Sequence, residues 1–259
     1  MKGKPLNNMI IRGNRELKER YHQLGPEDIF IGSLASKHLK QPMLIDLLER
    51  GVRCFPSALS QVINSSKIMQ ALIFENLMLP STEVITRRVE LIETMNLYNK
   101  RGVGPVVTKE NHMHCGYGIR RWENVEFLYS HMALLESSYP FVIQPFLDNF
   151  TDVRTVIIGD YVEAYSRHNP YNFRMNISSG GGSSPYELDK NQQEFCRSIM
   201  ARGKFPFAHI DLHILESGEC YLSEIALNGG IKGAAITRKD LDEKKHILLE
   251  RLAEEAHSS

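Results

Sequence analysis

The sequence predicts a mixed α/β (α+β) protein, and three stretches carry that prediction. Within residues 1–55, short apolar runs alternate with helical patterns, the strand–helix–strand order of a small parallel α/β unit. At Gly159-Asp160 a two-residue turn separates two β-rich runs, which reads as a hairpin. From Ala208 the chain reads AHIDLHILESGECYLSEIALNGG, two alternating runs around Glu216, Ser217, Gly218 and Glu219, a second hairpin.

In chain order, residues 9–12 and 28–32 read as short strands. Residues 39–50 read as a helix with Leu44, Leu47 and Leu48 on one face, closed by Gly51. Residues 52–55 give a third strand. One helix is expected from Ser65 to about residue 77, capped by Ser65 or Ser66 and stopped by Pro80. Residues 81–86 read as extended and 89–100 as helical. Residues 105–108 form a strand that delivers Lys109 to a loop containing Gly116 and Gly118, and a strand resumes at Ile119. A helix is expected over 122–137 and a strand over 141–147. Residues 152–158 and 161–167 are the arms of the first hairpin. Residues 169–184 are polar and glycine-rich, 187–202 helical, and 240–257 an amphipathic helix.

Composition narrows the function classes. The 259 residues are 42% hydrophobic and 24% charged, with 31 acidic and 31 basic side chains, as in an ordinary soluble globular protein. Zero net charge argues against a general nucleic-acid binder. No apolar run reaches the roughly 18 residues that suggest a membrane span, and the start of the chain lacks the apolar core of a secretory signal. The four cysteines are far apart with no CxxC, so neither a zinc ribbon nor a disulfide framework is expected, and a cytoplasmic setting is the simplest inference.

The second hairpin holds the chemistry. Alternation puts His209, Asp211 and His213 on one face and Ile210, Leu212 and Ile214 on the other. If Leu215 faces Cys220 across the turn, Asp211 stands opposite Glu224. Like charges at about 5 Å repel by roughly 3 kcal/mol at an effective dielectric near 20. A solvated hairpin end would tolerate them, and so would a hard divalent cation of the Mg2+ type shared with substrate phosphates. A third arrangement, His209-x-Asp211-x-His213 around a transition metal, has the right donor types. Phosphate-loop motifs of the GxxxxGK[ST] and GxGxxG kinds are absent. The glycine-rich stretches 111–118 and 178–184 read either as anion nests or as plain turns. Lys109 reads either as a phosphate contact or as a solvated surface lysine. His112 and His114 read either as cover for phosphates or as ordinary loop residues.

Six ordered motifs then resemble one family. They are NSSKIMQALIFENLMLPST, VVTKENHMHCGYGI, VIQPFLD, DVRTVIIGDYVEAYSRH, RMNISSGG, and the pair AHIDL and LSEIALNGG. Over about residues 55–235 the chain resembles the ATP-grasp superfamily, in the branch of the ribosomal-protein glutamate ligase RimK and the lysine-biosynthesis ligase LysX. The resemblance implies an ATP-grasp fold with a short N-terminal α/β subdomain over residues 1–60, an ATP-grasp domain over 61–236 with a hinge near 144–150, and a C-terminal helix over 237–259. It implies ATP and Mg2+, or Mn2+, as cofactors. Lys67 and Lys109 would contact the phosphates, Gln144 with the backbone of Pro145 and Phe146 the adenine, and Asp152 the ribose side. Arg174 and Asn176 would meet the phosphate end. Asp211 and Glu224 would hold the metal, with Asn228 as a substitute ligand. Arg154, Arg167 and Arg174 would act on the carboxylate substrate or the transition state.

The implied reaction joins a small-molecule or peptide carboxylate to an amine through an acyl phosphate. No nucleic acid or membrane partner is implied, and homo-oligomer formation is left open. Two departures favour an alternative, a regulatory protein that binds ATP without turnover. Ala226 replaces the asparagine of the family's E-x-N, and the N-terminal portion is short. Pro145 also replaces the hinge glutamate, and the loop before Asp152 is two residues shorter than in RimK.

Overall fold

The structure is a computed structural model describing residues 9–35, 38–113, 116–133, 139–175, 177 and 180–258. It contains three sheets. Strands β1 (Ile10–Arg12), β2 (Ile29–Ile31) and β3 (Arg53–Phe55) form a parallel sheet in that order. Its connections are helices α1 (Gly13–Arg20) and α2 (Lys40–Glu49). Helix α1 left no trace in the apolar pattern because it buries only Leu17.

The helix expected from Ser65 to about residue 77 is present as a shorter one that starts after Ser66, and a further helix precedes it where none was expected. Ser57 caps α3 (Ala58–Asn64) by accepting from the Ser60 N–H, and Ser66 caps α4 (Lys67–Ile73) by accepting from the Met69 N–H. Each serine oxygen satisfies a backbone donor that the first helical turn leaves open. Ser65 ends α3 instead of starting a helix.

The second sheet is antiparallel, in the order β4 (Glu83–Ile85), β7 (Phe141–Pro145), β5 (Val106–Glu110), β6 (Ile119–Trp122). Helices α5 (Arg88–Arg101) and α6 (Val125–Met132) pack on it through Leu91, Tyr98, Val125 and Leu128. Trp122 belongs to β6 and not to the helix expected over 122–137. Asn124 caps α6, and the indole of Trp122 donates to Thr108 Oγ1 at 2.9 Å. Strand β7 ends two residues early at Pro145, which itself has no N–H to give the ladder.

The third sheet is also antiparallel, in the order β10 (Gly182–Tyr186), β9 (Tyr161–His168), β8 (Thr151–Ile158), β11 (Phe207–Ile214), β12 (Cys220–Ala226). Strand β10 starts inside the polar, glycine-rich segment 169–184 and runs two residues past it, as an edge strand of half-buried and exposed side chains. Helix α7 (Lys190–Gly203) starts later than expected, at a capping box between Asp189 and Gln192. Helix α8 (Arg238–His257) covers the third sheet through Leu241, Leu248 and Ala253 and also reaches Ile29 and Ile31 of the first. No helix among the described residues is long and apolar enough to cross a membrane.

The β11–β12 hairpin pairs Asp211 with Glu224, but not through a regular ladder. Near the turn Ile214 faces Cys220 and Leu212 faces Leu222, and the register then shifts so that Asp211 faces Glu224. Ser223 is the extra residue of a bulge. The expected turn register, Leu215 opposite Cys220, is therefore off by one, and the bulge restores the pair at the site. The alternation rule explains why. A regular ladder continued from the observed turn would send Glu224 into the core beside Ile210 and bring Ile225 out. With the bulge, Leu222 and Ile225 are both buried and Glu224 stays on the polar face.

Strand β12 is an edge, and side chains close its open backbone. Gln70 of α4 receives the Ile225 N–H on Oε1 and donates Nε2 to the Ile225 carbonyl, both at 3.0 Å. Asn64 accepts the Leu227 N–H at 2.7 Å, and Lys245 of α8 donates to the Leu227 carbonyl at 2.7 Å. The strand carrying Glu224 is thus fixed from α3, α4 and α8.

Candidate active site

Pairing within the third sheet puts eight side chains into two adjacent rows. One row runs Tyr165, Arg154, Asp211, Glu224 across β9, β8, β11 and β12. The next runs Arg167, Asp152, His213, Tyr221. Basic and acidic groups alternate where they touch. Arg154 donates Nε to Asp211 Oδ1 at 2.6 Å and Nη2 to Oδ2 at 2.7 Å. Arg167 donates Nε to Asp152 Oδ1 at 2.6 Å, and its Nη2 lies 2.9 Å from Asp211 Oδ2. The two-point Arg154–Asp211 pair is of the strong kind, and Arg167 bridges the two carboxylates with one contact to each.

Burial alone would push the Asp211 carboxyl up, but the charges and hydrogen bonds of Arg154 and Arg167 outweigh it and hold the group well below the usual carboxylate range. Asp152 goes the other way: burial raises it more than Arg167 lowers it. His213, beside Asp152 and 4.3 Å from the Phe150 ring, is pushed down to about 3 by burial and by Lys109. It is a neutral wall.

The second sheet adds a cation from the opposite side. Lys109 is 6% exposed and donates Nζ to the Ser223 carbonyl at 3.2 Å. That carbonyl belongs to the bulge residue. Burial lowers the Lys109 ammonium to about 8, opposed mainly by Glu224. Lys67, at the start of α4, lies 3.7 Å from Glu224 Oε1 and donates to the Met113 carbonyl. It ties the glycine loop to the acidic strand.

Two cavities meet at this charge cluster. The first, about 160 Å³, has Val107, Ile119, Phe146, Phe150 and Phe173 as its apolar lining. The second, about 490 Å³, contains Tyr165, His209, Ala226, Asn228 and Gly230 in its wall. Arg154, Arg167, Asp211 and Glu224 line both.

The structure brings most of the expected site residues together. Lys109, Gln144, Phe146, Asp152 and Arg174 line the first cavity. Arg174 holds the glycine loop as well, donating Nε to the Gly116 carbonyl at 3.2 Å and Nη2 to that of Ile119. At the hinge, the Phe146 N–H donates to the Pro105 carbonyl at 2.9 Å, and Pro145 has no N–H. Leu147, which also lines the cavity, is therefore the next source of a backbone donor. Asn228 lies in the second cavity, where its Oδ1 accepts from Lys245 at 2.9 Å. Asn176 and His114 lie outside the described residues. His209 and His213 flank Asp211, yet among the described residues no three His, Cys, Asp or Glu groups form a metal cluster.

Sequence reading missed Phe150, Phe173 and Ser223. The Phe173 ring stands beneath the Arg174 guanidinium at 4.4 Å and edge-on to Phe146 at 6.1 Å. Its place next to Arg174 was the available signal. A bulge carbonyl has none.

Three comparisons bear on this geometry. A family model described as a RimK-like ATP-grasp domain matches residues 63–248. A search of curated proteins gives no significant match. Among solved structures, D-alanine–D-alanine ligase from Bacillus anthracis superposes with a TM-score of 0.63 at 18% identity, covering 94% of this chain and 86% of its own. D-cycloserine synthetase DcsG gives 0.62 at 13%, covering 86% and 84%. The ATP-grasp ligase PsnB, solved with Mg, ADP and a variant of its minimal precursor, gives 0.55 at 15%, covering 81% and 67%. At these identities the structures speak for the fold.

Proposed function

Because the chain belongs to the RimK-like ATP-grasp family of carbon–nitrogen ligases, we propose that it joins a small-molecule or peptide carboxylate to an amine through an acyl phosphate, releasing ADP and phosphate. One observation carries this reading: Arg154, Arg167, Asp211 and Glu224 form the common wall of two cavities. A phosphoryl group passing from one bound molecule to another needs such a boundary.

The residues present suit the implied cofactors. The first cavity combines apolar and aromatic lining with Lys109 and Arg174, which suits a base and a polyphosphate. Asp211 and Glu224 offer hard oxygen donors on directly paired residues, the donor type Mg2+ takes together with phosphate oxygens and water. Bound there, Mg2+ or Mn2+ would screen the charge of the transferring phosphate. Lys109 and Lys67 add to that screening. Arg154 and Arg167 orient the substrate carboxylate in the second cavity, so that its oxygen forms a bond to the γ-phosphorus as the bond to ADP breaks. The amine nitrogen then attacks the acyl carbon, phosphate leaves, and the nitrogen gives up a proton.

A second reading, nucleotide binding without turnover, is favoured by Ala226 in the metal strand and by the engagement of the Asn228 oxygen with Lys245. The deciding experiment is ADP release from Mg2+·ATP with mixed carboxylates and amines. ATP binding with no ADP release from any mixture favours the second reading. A cytoplasmic setting goes with either, on the free thiols of Cys54, Cys196 and Cys220.

A further inference from the structure

The Asp211 carboxylate is already crowded. It has about four lone-pair sites. The Arg154 fork occupies one on each oxygen, at 2.6 and 2.7 Å, and Arg167 takes another on Oδ2 at 2.9 Å. A small divalent cation sits about 2.0–2.1 Å from its oxygens and demands near-ideal geometry. It would also place its charge directly against the guanidinium. One site, on Oδ1, is left, and a cation there would share that oxygen with the Arg154 Nε–H, so the full Arg154 fork and a directly bound cation oppose each other on this carboxylate.

The two arginines differ in what holds them. Arg167 is anchored through Nε to Asp152 at 2.6 Å, and that bond does not depend on Asp211. Arg154 meets the Gly230 carbonyl at 3.2 Å and the Tyr165 side chain beside it, and among the described residues it pairs with no carboxylate other than Asp211. Gly230 belongs to the wall of the second cavity, and so does Arg154. A displaced Arg154 has that cavity to turn into.

Resting on the ligase reading above, we propose that Arg154 and a divalent cation hold Asp211 in alternation, and that cation loading hands the Arg154 guanidinium to the carboxylate substrate in the second cavity. Metal·nucleotide binding then prepares the carboxylate site. By linkage, the bound carboxylate tightens the metal by the same factor.

The test follows Mn2+ as the metal probe, by the EPR signal of the free ion, on the full chain with saturating ADP. Wild type is compared with Arg154→Lys, which keeps the charge and loses the two-point fork. The exchange requires Arg154→Lys to bind Mn2+ more tightly, by about tenfold for one charge-assisted hydrogen bond removed from the competition. Unchanged or weaker binding overturns it. A second readout uses the wild-type fold. The Arg154 Nε–H resonance, assigned by its loss in Arg154→Lys, is expected to move when Mg2+ is added to the ADP complex and to stay in place with ADP and chelator. A resonance indifferent to Mg2+ overturns the exchange. If wild type binds no Mn2+ with ADP, the ligase reading and the exchange fall together. If it binds Mn2+ and Arg154→Lys matches it, only the exchange falls.

Discussion

The third sheet meets the first cavity with charge, and the second sheet meets it with shape. On β8, β9 and β11, Asp152, Arg154, Arg167 and Asp211 are each held by a neighbour in the same two rows. On β7 and the segment after it, Gln144, Phe146 and Leu147 supply a buried amide, an aromatic face and backbone. The groups of the first kind are interdependent, so removing one strands another in a poorly solvated place. Those of the second kind act separately. Substitutions on the charged sheet should therefore cost stability and function together, and those at the hinge only affinity.

The sharpest test is Arg167→Met. It leaves the buried Asp152 without its Nε partner and Asp211 with one arginine in place of two. Thermal and denaturant unfolding should show a loss of about 3–5 kcal/mol, the usual cost of breaking a buried pair from one side. A variant as stable as wild type would break the comparison. Lys109→Met comes next. Lys109 is the cation that β5 sends across to the bulge of β12, so it belongs to the second sheet by position and to the third by contact. ATP binding should weaken by about 100-fold, near the 2.7–4 kcal/mol of a preorganised charge contact, with no fall in stability, since a buried cation is removed. Phe146→Ala should raise the ATP KM by about tenfold and leave kcat and the melting temperature nearly unchanged, as the loss of one stacking face implies.

The smallest effect is with pH. The Lys109 ammonium is lowered to about 8, below its ordinary 10.5. In the unbound fold it is charged below about 8 and neutral above. Affinity for ATP should be full below that pH and fall by a few-fold as the pH rises through it, and Lys109→Met should abolish this slope. Stability has the opposite sign. Between about 8 and 10.5 the unfolded chain binds the proton that the folded chain has lost, so this group's contribution to stability rises with pH across that window.

Legibility in the sequence followed the same divide. Alternation in AHIDLHI and the turn composition at 216–219 locate the hairpin and put Asp211 on its polar face, because strand period and turn composition are local, but the pairing with Glu224 depends on the Ser223 bulge, which neither signal shows. The break between α3 and α4 was less plain, since Ser57, Ser65 and Ser66 all have capping chemistry and only packing selects two of them. Trp122 looked helical next to an apolar run, but its indole is claimed by Thr108 of β5. The arginine pairing was out of reach. It depends on the neighbour order β9-β8-β11-β12, and sequence does not state which strands lie side by side.

The bulge at Ser223 has a practical consequence. It separates the hairpin into a site end, where helices α3, α4 and α8 fix the strand carrying Glu224, and a turn end with exposed residues Glu216, Ser217, Gly218 and Glu219. Lengthening an exposed loop costs little, about 0.6 kcal/mol for each doubling. The tip is therefore a port for engineering: an affinity handle or a fluorescent reporter spliced between Ser217 and Gly218 leaves the pairing of Asp211 with Glu224 in register.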